Sequence, residues 1–79
     1  MNDFFLLCRN ILAEHLNIQP DLISMDTTFE EINADSIDIV EMIMAVEDKY
    51  DVEFPEDDLD KFKTMGSLIK VLYEYLNSR

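Results

Sequence analysis

The residues best suited to chemistry lie near the middle of the chain, where an acidic turn meets an apolar stretch. Ser36 carries a hydroxyl, and the carboxylates of Asp35 and Asp38 flank it. Asp35 is suited to cap a helix that begins at Ser36, because its carboxylate can accept a free backbone N–H of the first turn. Asp38 lies three positions later, as the second member of a capping box does. The spacing therefore predicts an exposed serine hydroxyl at the start of a helix.

Three roles are open to that hydroxyl: a bystander of the helix cap, a catalytic nucleophile, or an acceptor that another enzyme modifies. A nucleophile needs an activating base and an oxyanion hole. His15 is the only histidine, expected to be solvated at a helix end, and the chain has no glycine-rich turn. Self-contained catalysis is therefore not expected. A phosphate ester suits a helix N-terminus, although Asp35 and Asp38 repel it.

Composition limits the class of protein. The chain has 79 residues, of which 48% are hydrophobic, so we expect a single folded domain over residues 1–79. Eighteen acidic and six basic residues give a net charge of −12. Nucleic acid is not expected as a partner, because phosphate binding needs a basic surface. Basic partner proteins are favoured instead, with an affinity that falls as salt is added.

Other classes are excluded by what the chain lacks. No apolar run approaches the about 20 residues of a membrane span, and the N-terminus lacks the features of a signal peptide, so we expect a cytoplasmic protein. Cys8 is the only cysteine, which excludes an internal disulfide and favours a buried structural thiol. The acidic segment 48–60 has no glycine and contains Pro55, so no specific calcium loop or other metal site is predicted.

Apolar spacing predicts an all-α fold. Residues 3–16, 36–50 and 65–77 follow the helical period, and Thr64 is suited to cap the last of these helices. A short helix is expected at 56–61. Residues 17–35 are expected to form a long loop, since Pro20 prevents a helix there. The prediction is a four-helix bundle with three longer helices, one short helix and a long first loop.

The helix at 36–50 has two apolar stripes, although a surface helix in a small domain needs only one. The stripe with the spacing of a core face consists of Ile39, Met42, Ile43, Val46 and Tyr50. The second stripe consists of Ile37, Val40 and Met44 and is bordered by Glu41, Glu47 and Asp48. An apolar stripe with an acidic border indicates a surface that contacts other proteins.

The segment Asn33–Asp38 reads Asn-Ala-Asp-Ser-Ile-Asp and resembles the Gly-x-Asp-Ser-Leu-Asp attachment motif of acyl carrier proteins. The resemblance continues through Val40-Glu41, Met44-Ala45, Glu47-Asp48 and Pro55 to Thr64, and so covers nearly the whole chain. Two positions depart from the pattern. Asn33 replaces glycine, and asparagine tolerates the left-handed conformation of such a turn. Ile37 replaces leucine and shifts the branch point of the side chain.

The resemblance implies a carrier without catalytic activity of its own. A phosphopantetheinyl transferase would attach 4′-phosphopantetheine from coenzyme A to Ser36, and the thiol of this arm would carry acyl groups as thioesters. Acyl-transferring and synthase enzymes would recognise the carrier through basic docking patches. The implied docking positions are Asp35, Ile37, Asp38, Val40, Glu41, Met44, Glu47 and Asp48. An acyl pocket is implied at Phe29, Met42, Val46, Leu59, Phe62 and Leu68, with plain core packing as the alternative.

The resemblance ranks the pathways without deciding between them. Fatty acid biosynthesis comes first, followed by a polyketide or other secondary pathway and then by a peptidyl carrier. The free termini favour a monomeric, free-standing carrier over a piece of a multidomain enzyme. The alternative from another class is an unmodified acidic helical adaptor or cation-binding protein.

Overall fold

The computed structural model describes residues 2–54 and 61–78, and all of the regular secondary structure within these ranges is helical. α1 spans Asn2–Leu16, α2 spans Ser36–Tyr50 and α3 spans Met65–Asn77. A 3-10 turn lies at Pro20–Leu22. The all-α prediction is thus confirmed. The predicted short helix at 56–61 lies, except for Lys61, outside the described residues, so it stays a prediction.

The ends of α1 and α2 are fixed by residues in the left-handed conformation. Asn17 follows α1 with φ of 59°, and Asp51 follows α2 with φ of 55°. After α2, the backbone N–H of Val52 donates to the carbonyl of Glu47 over 3.1 Å. This return bond satisfies a free carbonyl of the last turn, as in a Schellman motif. Both helices therefore end abruptly, and the chain leaves each of them in a defined direction.

The hydrophobic core lies between the three helices and the first loop. The helical residues of this core are Phe4, Cys8, Leu12, Ala13, Ile39, Met42, Ile43, Val46, Met65, Leu68, Ile69 and Leu72. The assignment of Tyr50 to the core was wrong, because it is 37% exposed, although its ring contacts Phe4 with centroids 5.8 Å apart. Tyr75, the corresponding residue near the end of α3, is 42% exposed and also lies outside the core.

Cys8 is fully buried, as the sequence predicted. Burial raises the pKa of its thiol to about 12, because the apolar surroundings disfavour the thiolate. The side chain therefore stays a neutral thiol at physiological pH and acts as a small apolar group of the core.

The long first loop is bonded to the chain at the start of α3. The backbone N–H of Gly66 donates to the carbonyl of Met25 over 2.8 Å, and that of Met65 donates to Thr27 over 2.9 Å. The N–H of Phe29 donates to Lys63 over 3.0 Å. A Cβ atom on Gly66 would lie 2.7 Å from the Met25 carbonyl oxygen, so the close approach of the two segments requires glycine. These bonds fix the loop against the start of α3.

The loop ends in a tight turn that leads the chain to Ser36. Asn33 has φ of 56°, which confirms the left-handed conformation expected where the resembling family has glycine. The N–H of Ala34 donates to the carbonyl of Phe29 over 2.9 Å, and Phe29 is buried in the core. The turn is therefore anchored, and α2 begins at a defined position. Within the described residues, no helix is long and apolar enough to cross a membrane.

Candidate functional site

Ser36 is the first residue of α2, and its side chain is exposed. A complete capping box surrounds it. The N–H of Asp38 donates to the Asp35 carboxylate over 3.0 Å, and the N–H of Asp35 donates to the Asp38 carboxylate over 3.1 Å. Since the two acids cap the helix, the serine hydroxyl is not needed for that purpose. The capping arrangement that the sequence predicted is confirmed.

Asp38 holds a stable negative charge close to Ser36. The hydrogen bond from the backbone N–H of Asp35 is the main cause that lowers the pKa of the Asp38 carboxyl below its ordinary value. Partial desolvation opposes this shift, and the contact with the His15 ring adds to it. The carboxylate is therefore ionised throughout the neutral range, so the start of α2 is acidic as well as exposed.

His15 lies exposed in the last turn of α1, as the sequence predicted, and it also makes contacts that the sequence did not reveal. Its Nε2 atom lies 2.8 Å from Oδ1 of Asp38, and its Nδ1 atom lies 3.2 Å from Oε2 of Glu41. The ring thus joins the last turn of α1 to the first two turns of α2. Because both ring nitrogens face carboxylates, neither is directed at Ser36 as an activating base would be. These contacts could not be predicted, because His15 and Asp38 lie 23 positions apart in the sequence.

Two grooves meet at Ser36. The first, which we call the loop groove, is lined by Thr28, Phe29, Glu30, Ala34, Ser36, Ile39, Phe62 and Lys63. The second, which we call the helix groove, is lined by Ser36, Ile37, Val40, Glu41 and Met44. The loop groove is bounded by aromatic and aliphatic side chains with one lysine at its edge. The helix groove runs along the second apolar stripe of α2. A group attached to Ser36 would have both grooves within reach.

The residues predicted for an acyl pocket separate into two sets. Phe29 and Phe62 line the loop groove. Met42, Val46 and Leu68 are instead almost completely buried in the core. Leu59 lies outside the described residues. The loop groove also contains Ala34 and Ile39, which the sequence did not single out; the position of Ala34 two residues before Ser36 was the available signal.

The eight predicted docking positions differ in exposure. Ile37 and Met44 are 67% and 55% exposed, which is unusual for large apolar side chains. Asp35, Glu41 and Asp48 are also exposed, whereas Asp38, Val40 and Glu47 are half-buried. Glu47 has a structural contact that the sequence did not reveal, since its carboxylate accepts a hydrogen bond from the backbone N–H of Phe54 over 2.7 Å. Within residues 2–54 and 61–78, no group of three or more potential ligands could hold a metal ion.

Comparison with known proteins shows which family the chain matches. Residues 9–72 match the family described as Phosphopantetheine attachment site, and this range includes Ser36 and both grooves. The chain is 40% identical over 65 residues to the acyl carrier protein of Sulfurovum sp. (strain NBC37-1), a region covering 81% of this chain and 87% of the relative.

Two further similar proteins are also acyl carrier proteins. The acyl carrier protein of Clostridium perfringens (strain SM101 / Type A) is 40% identical over 68 residues, which cover 85% of this chain and 90% of the relative. That of Chlamydia trachomatis serovar L2 is 38% identical over 68 residues, covering 85% and 88% respectively. The matched family and these relatives together identify phosphopantetheine as the cofactor. The chain therefore belongs to the acyl carrier protein family.

Proposed function

We propose that Ser36 is the residue to which a phosphopantetheinyl transferase joins 4′-phosphopantetheine from coenzyme A. The observation that carries this proposal is the position of Ser36, which is exposed, begins α2 and lies where the two grooves meet. Among the residues of the attachment motif, it is the one with a hydroxyl. When bound, the group supplies a terminal thiol that carries acyl groups as thioesters.

The surroundings of Ser36 fit a phosphate ester. Free backbone N–H groups and the helix dipole favour an anion at the start of a helix. Asp35 and Asp38 oppose it by repulsion, but each of their carboxylates accepts a backbone hydrogen bond, and Asp38 also contacts His15. Lys63 lines the adjoining loop groove and adds a positive charge on that side. The residues present therefore suit the attached group.

The loop groove is the first place for an attached acyl chain to bind. Phe29, Ile39 and Phe62 supply apolar surface beside Ser36. The other candidate positions, Met42, Val46 and Leu68, have exposures of 0%, 0% and 1% and pack against the core. An acyl chain would reach them only if the helices separated, because a packed interior leaves no room for added methylenes. We propose that short acyl chains bind in the loop groove and that longer ones extend from it into the core.

Partner enzymes dock along the exposed side of α2. The surface exposes two large apolar side chains, Ile37 and Met44, beside the carboxylates of Glu41 and Asp48. Basic side chains on a partner would meet the acids, and the apolar pair would supply buried area at the centre. The same surface includes Asp35, Asp38, Val40 and Glu47. Catalysis belongs to these partners, and tethering raises the local concentration of the acyl group at their active sites.

The carrier role leads to assignments of the oligomeric state, the location and the pathway. The chain acts as a monomeric, cytoplasmic carrier formed by a single four-helix domain over residues 1–79, and fatty acid biosynthesis is its pathway. A polyketide or other secondary pathway is the second candidate, favoured by Ile37 and by the aromatic bulk of Phe54 and Phe62. Loading of the carrier by fatty acid synthesis enzymes, compared with polyketide enzymes under the same conditions, separates the two.

Intact-mass measurement tests the attachment. The protein is incubated with coenzyme A, Mg²⁺ and a broad-specificity phosphopantetheinyl transferase, and we expect the mass of one phosphopantetheine to be added. Ser36→Ala removes the acceptor and should abolish the gain. Ser24→Ala removes an exposed serine of the first loop and should leave it unchanged. No gain in the wild-type protein with several transferases would support an unmodified acidic adaptor instead.

A further inference from the structure

The proposed function gives no role to His15, although this residue contacts the docking surface. Nε2 lies 2.8 Å from the Asp38 carboxylate, and Nδ1 lies 3.2 Å from the Glu41 carboxylate. A neutral imidazole has one N–H and can donate to only one of them. The Nε2–Asp38 contact has the geometry of a hydrogen bond, whereas the Nδ1–Glu41 contact is an ion-pair distance that counts only for a charged ring. The ring therefore lies between two carboxylates and can pair with both of them only as an imidazolium.

The surroundings of the ring are acidic and leave it accessible. Asp38 and Glu41 are the charged groups of α2 that face the ring, and Glu14 precedes it on α1. The ring also lies in the last turn of α1, at the negative end of the helix dipole. The side chain of His15 is 33% exposed, and those of Asp38 and Glu41 are 20% and 54% exposed. An approaching partner can thus reach all three.

We infer that His15 is a positioning residue of the docking surface, whose imidazolium occupies Asp38 and Glu41 until a basic side chain of a partner enzyme takes its place. This inference rests on the proposed function, since it requires partners to dock through these two acids. The ring belongs to α1, so the docking surface extends beyond α2. Partners that present arginine or lysine to this end of α2 compete with His15, and partners that contact only the far end do not.

The competition depends on pH in a defined direction. Imidazole changes its charge between about pH 5 and 8. An imidazolium can pair with both carboxylates, so a partner's cation must displace it. A neutral imidazole can donate to one carboxylate only and leaves the surface more negative. Docking through Asp38 and Glu41 should therefore strengthen as the pH rises from 6 to 8.

The test compares KM for the carrier in the phosphopantetheinyl transferase reaction at pH 6 and pH 8, at low salt. His15→Gln is neutral at both values, and His15→Lys is charged at both. We expect the wild-type KM to exceed that of His15→Gln about two- to fivefold at pH 6 and to match it at pH 8, with kcat unchanged. His15→Lys should keep the higher KM at both pH values. Ratios between variants at one pH cancel the pH dependence of the transferase itself.

A control separates this local effect from net charge. Lys70→Gln also removes one positive charge, but from an exposed position on α3. Its KM relative to wild type should be the same at both pH values. A ratio of wild type to His15→Gln that is equal at pH 6 and pH 8 would overturn the inference. So would a raised KM for His15→Gln, since a histidine that merely holds α1 against α2 would give that result.

A second measurement does not depend on modification of Ser36. A hexalysine peptide is titrated into each protein at pH 6, and the backbone amide signals of Asp38 and Glu41 are followed by NMR. His15→Gln should bind the peptide about two- to fivefold more tightly than wild type. Equal affinities would reject the role of His15. If the transferase failed to modify the wild-type protein, the proposed function would fall, and the peptide titration would still decide this inference.

Discussion

The carboxylate of Glu47 accepts a hydrogen bond from the backbone N–H of Phe54, seven residues further along, over 2.7 Å. Phe54 is 5% exposed and belongs to the core, so this N–H has little access to water. Glu47 also borders the apolar stripe that we assign to partner docking. One side chain therefore fixes the path of the chain after α2 and contributes charge to the docking surface.

Replacement of Glu47 should separate these two contributions. Glu47→Ala leaves the N–H of Phe54 without its acceptor, and we expect the free energy of unfolding to fall by about 1–3 kcal/mol. Glu47→Gln keeps an acceptor oxygen and should lose much less. Asp48→Ala, at the exposed neighbouring position, serves as the control and should stay near wild type. Urea unfolding followed by circular dichroism measures all three, and an unaffected Glu47→Ala would show that the contact does not hold in solution.

Gly66→Ala should destabilise the protein although alanine favours a helix. The added Cβ would lie 2.7 Å from the carbonyl oxygen of Met25, a backbone atom that cannot move without disturbing the loop. We expect a loss of about 1–3 kcal/mol, as for other overpacked sites, which exceeds the gain in helix propensity. Hydrogen exchange should also accelerate at the amides of Met65 and Phe29. A raised melting temperature would mean that the loop adjusts at little cost.

Asp38 should contribute stability that disappears in acid. Its pKa is lowered in the folded protein, chiefly by the N–H of Asp35, so the folded state favours the ionised form. The contribution is complete above the unfolded pKa of about 3.9 and is lost as the pH falls through the lower folded value. Asp38→Asn should therefore melt below wild type at pH 7, and the two curves should begin to converge only as the pH falls below about 4.

The control for this experiment is Asp48→Asn, an exposed acid on the same helix. It relieves charge repulsion without removing a capping contact, so its melting temperature at pH 7 should equal or exceed that of wild type. A constant difference between Asp38→Asn and wild type from pH 7 to pH 3 would contradict the role of ionised Asp38.

Met44 should matter to partner enzymes and not to folding. Its side chain is 55% exposed, next to Ile37 in the helix groove, so truncation removes little buried area from the carrier alone. We expect Met44→Ala to raise KM for the carrier about fivefold or more with a partner synthase, while the melting temperature is unchanged. Val71→Ala removes a comparably exposed apolar side chain from α3 and should leave KM unaltered. Equal KM values for both variants would contradict the assignment of the docking surface to α2.

The sequence was sufficient wherever the physical cause is local. The capping box of Asp35 and Asp38 and the cap at Thr64 each depend on residues within a few positions, and each was predicted correctly. The left-handed conformation of Asn33 was expected from the family resemblance and is also confirmed. Helical periodicity likewise separated Ile39 from Ile37, the first buried and the second 67% exposed. A pattern that repeats every few residues can be recognised without knowing the tertiary arrangement.

Contacts between distant segments were not accessible in this way. His15 lies 23 positions from Asp38, and nothing in the spacing places the end of α1 beside the start of α2. Tyr50 falls on the predicted core face of α2, yet it is partly exposed, because it is the last residue of the helix. The requirement for glycine at position 66 likewise depends on the approach of Met25, which only the folded chain shows.

The burial of Cys8 protects the cargo from transfer within the molecule. Thioester exchange requires a thiolate as the attacking group. Cys8 is 0% exposed and has a pKa of about 12, so it offers neither access nor the reactive form. An acyl group carried on Ser36 through its arm would therefore encounter no reactive thiol of the same chain.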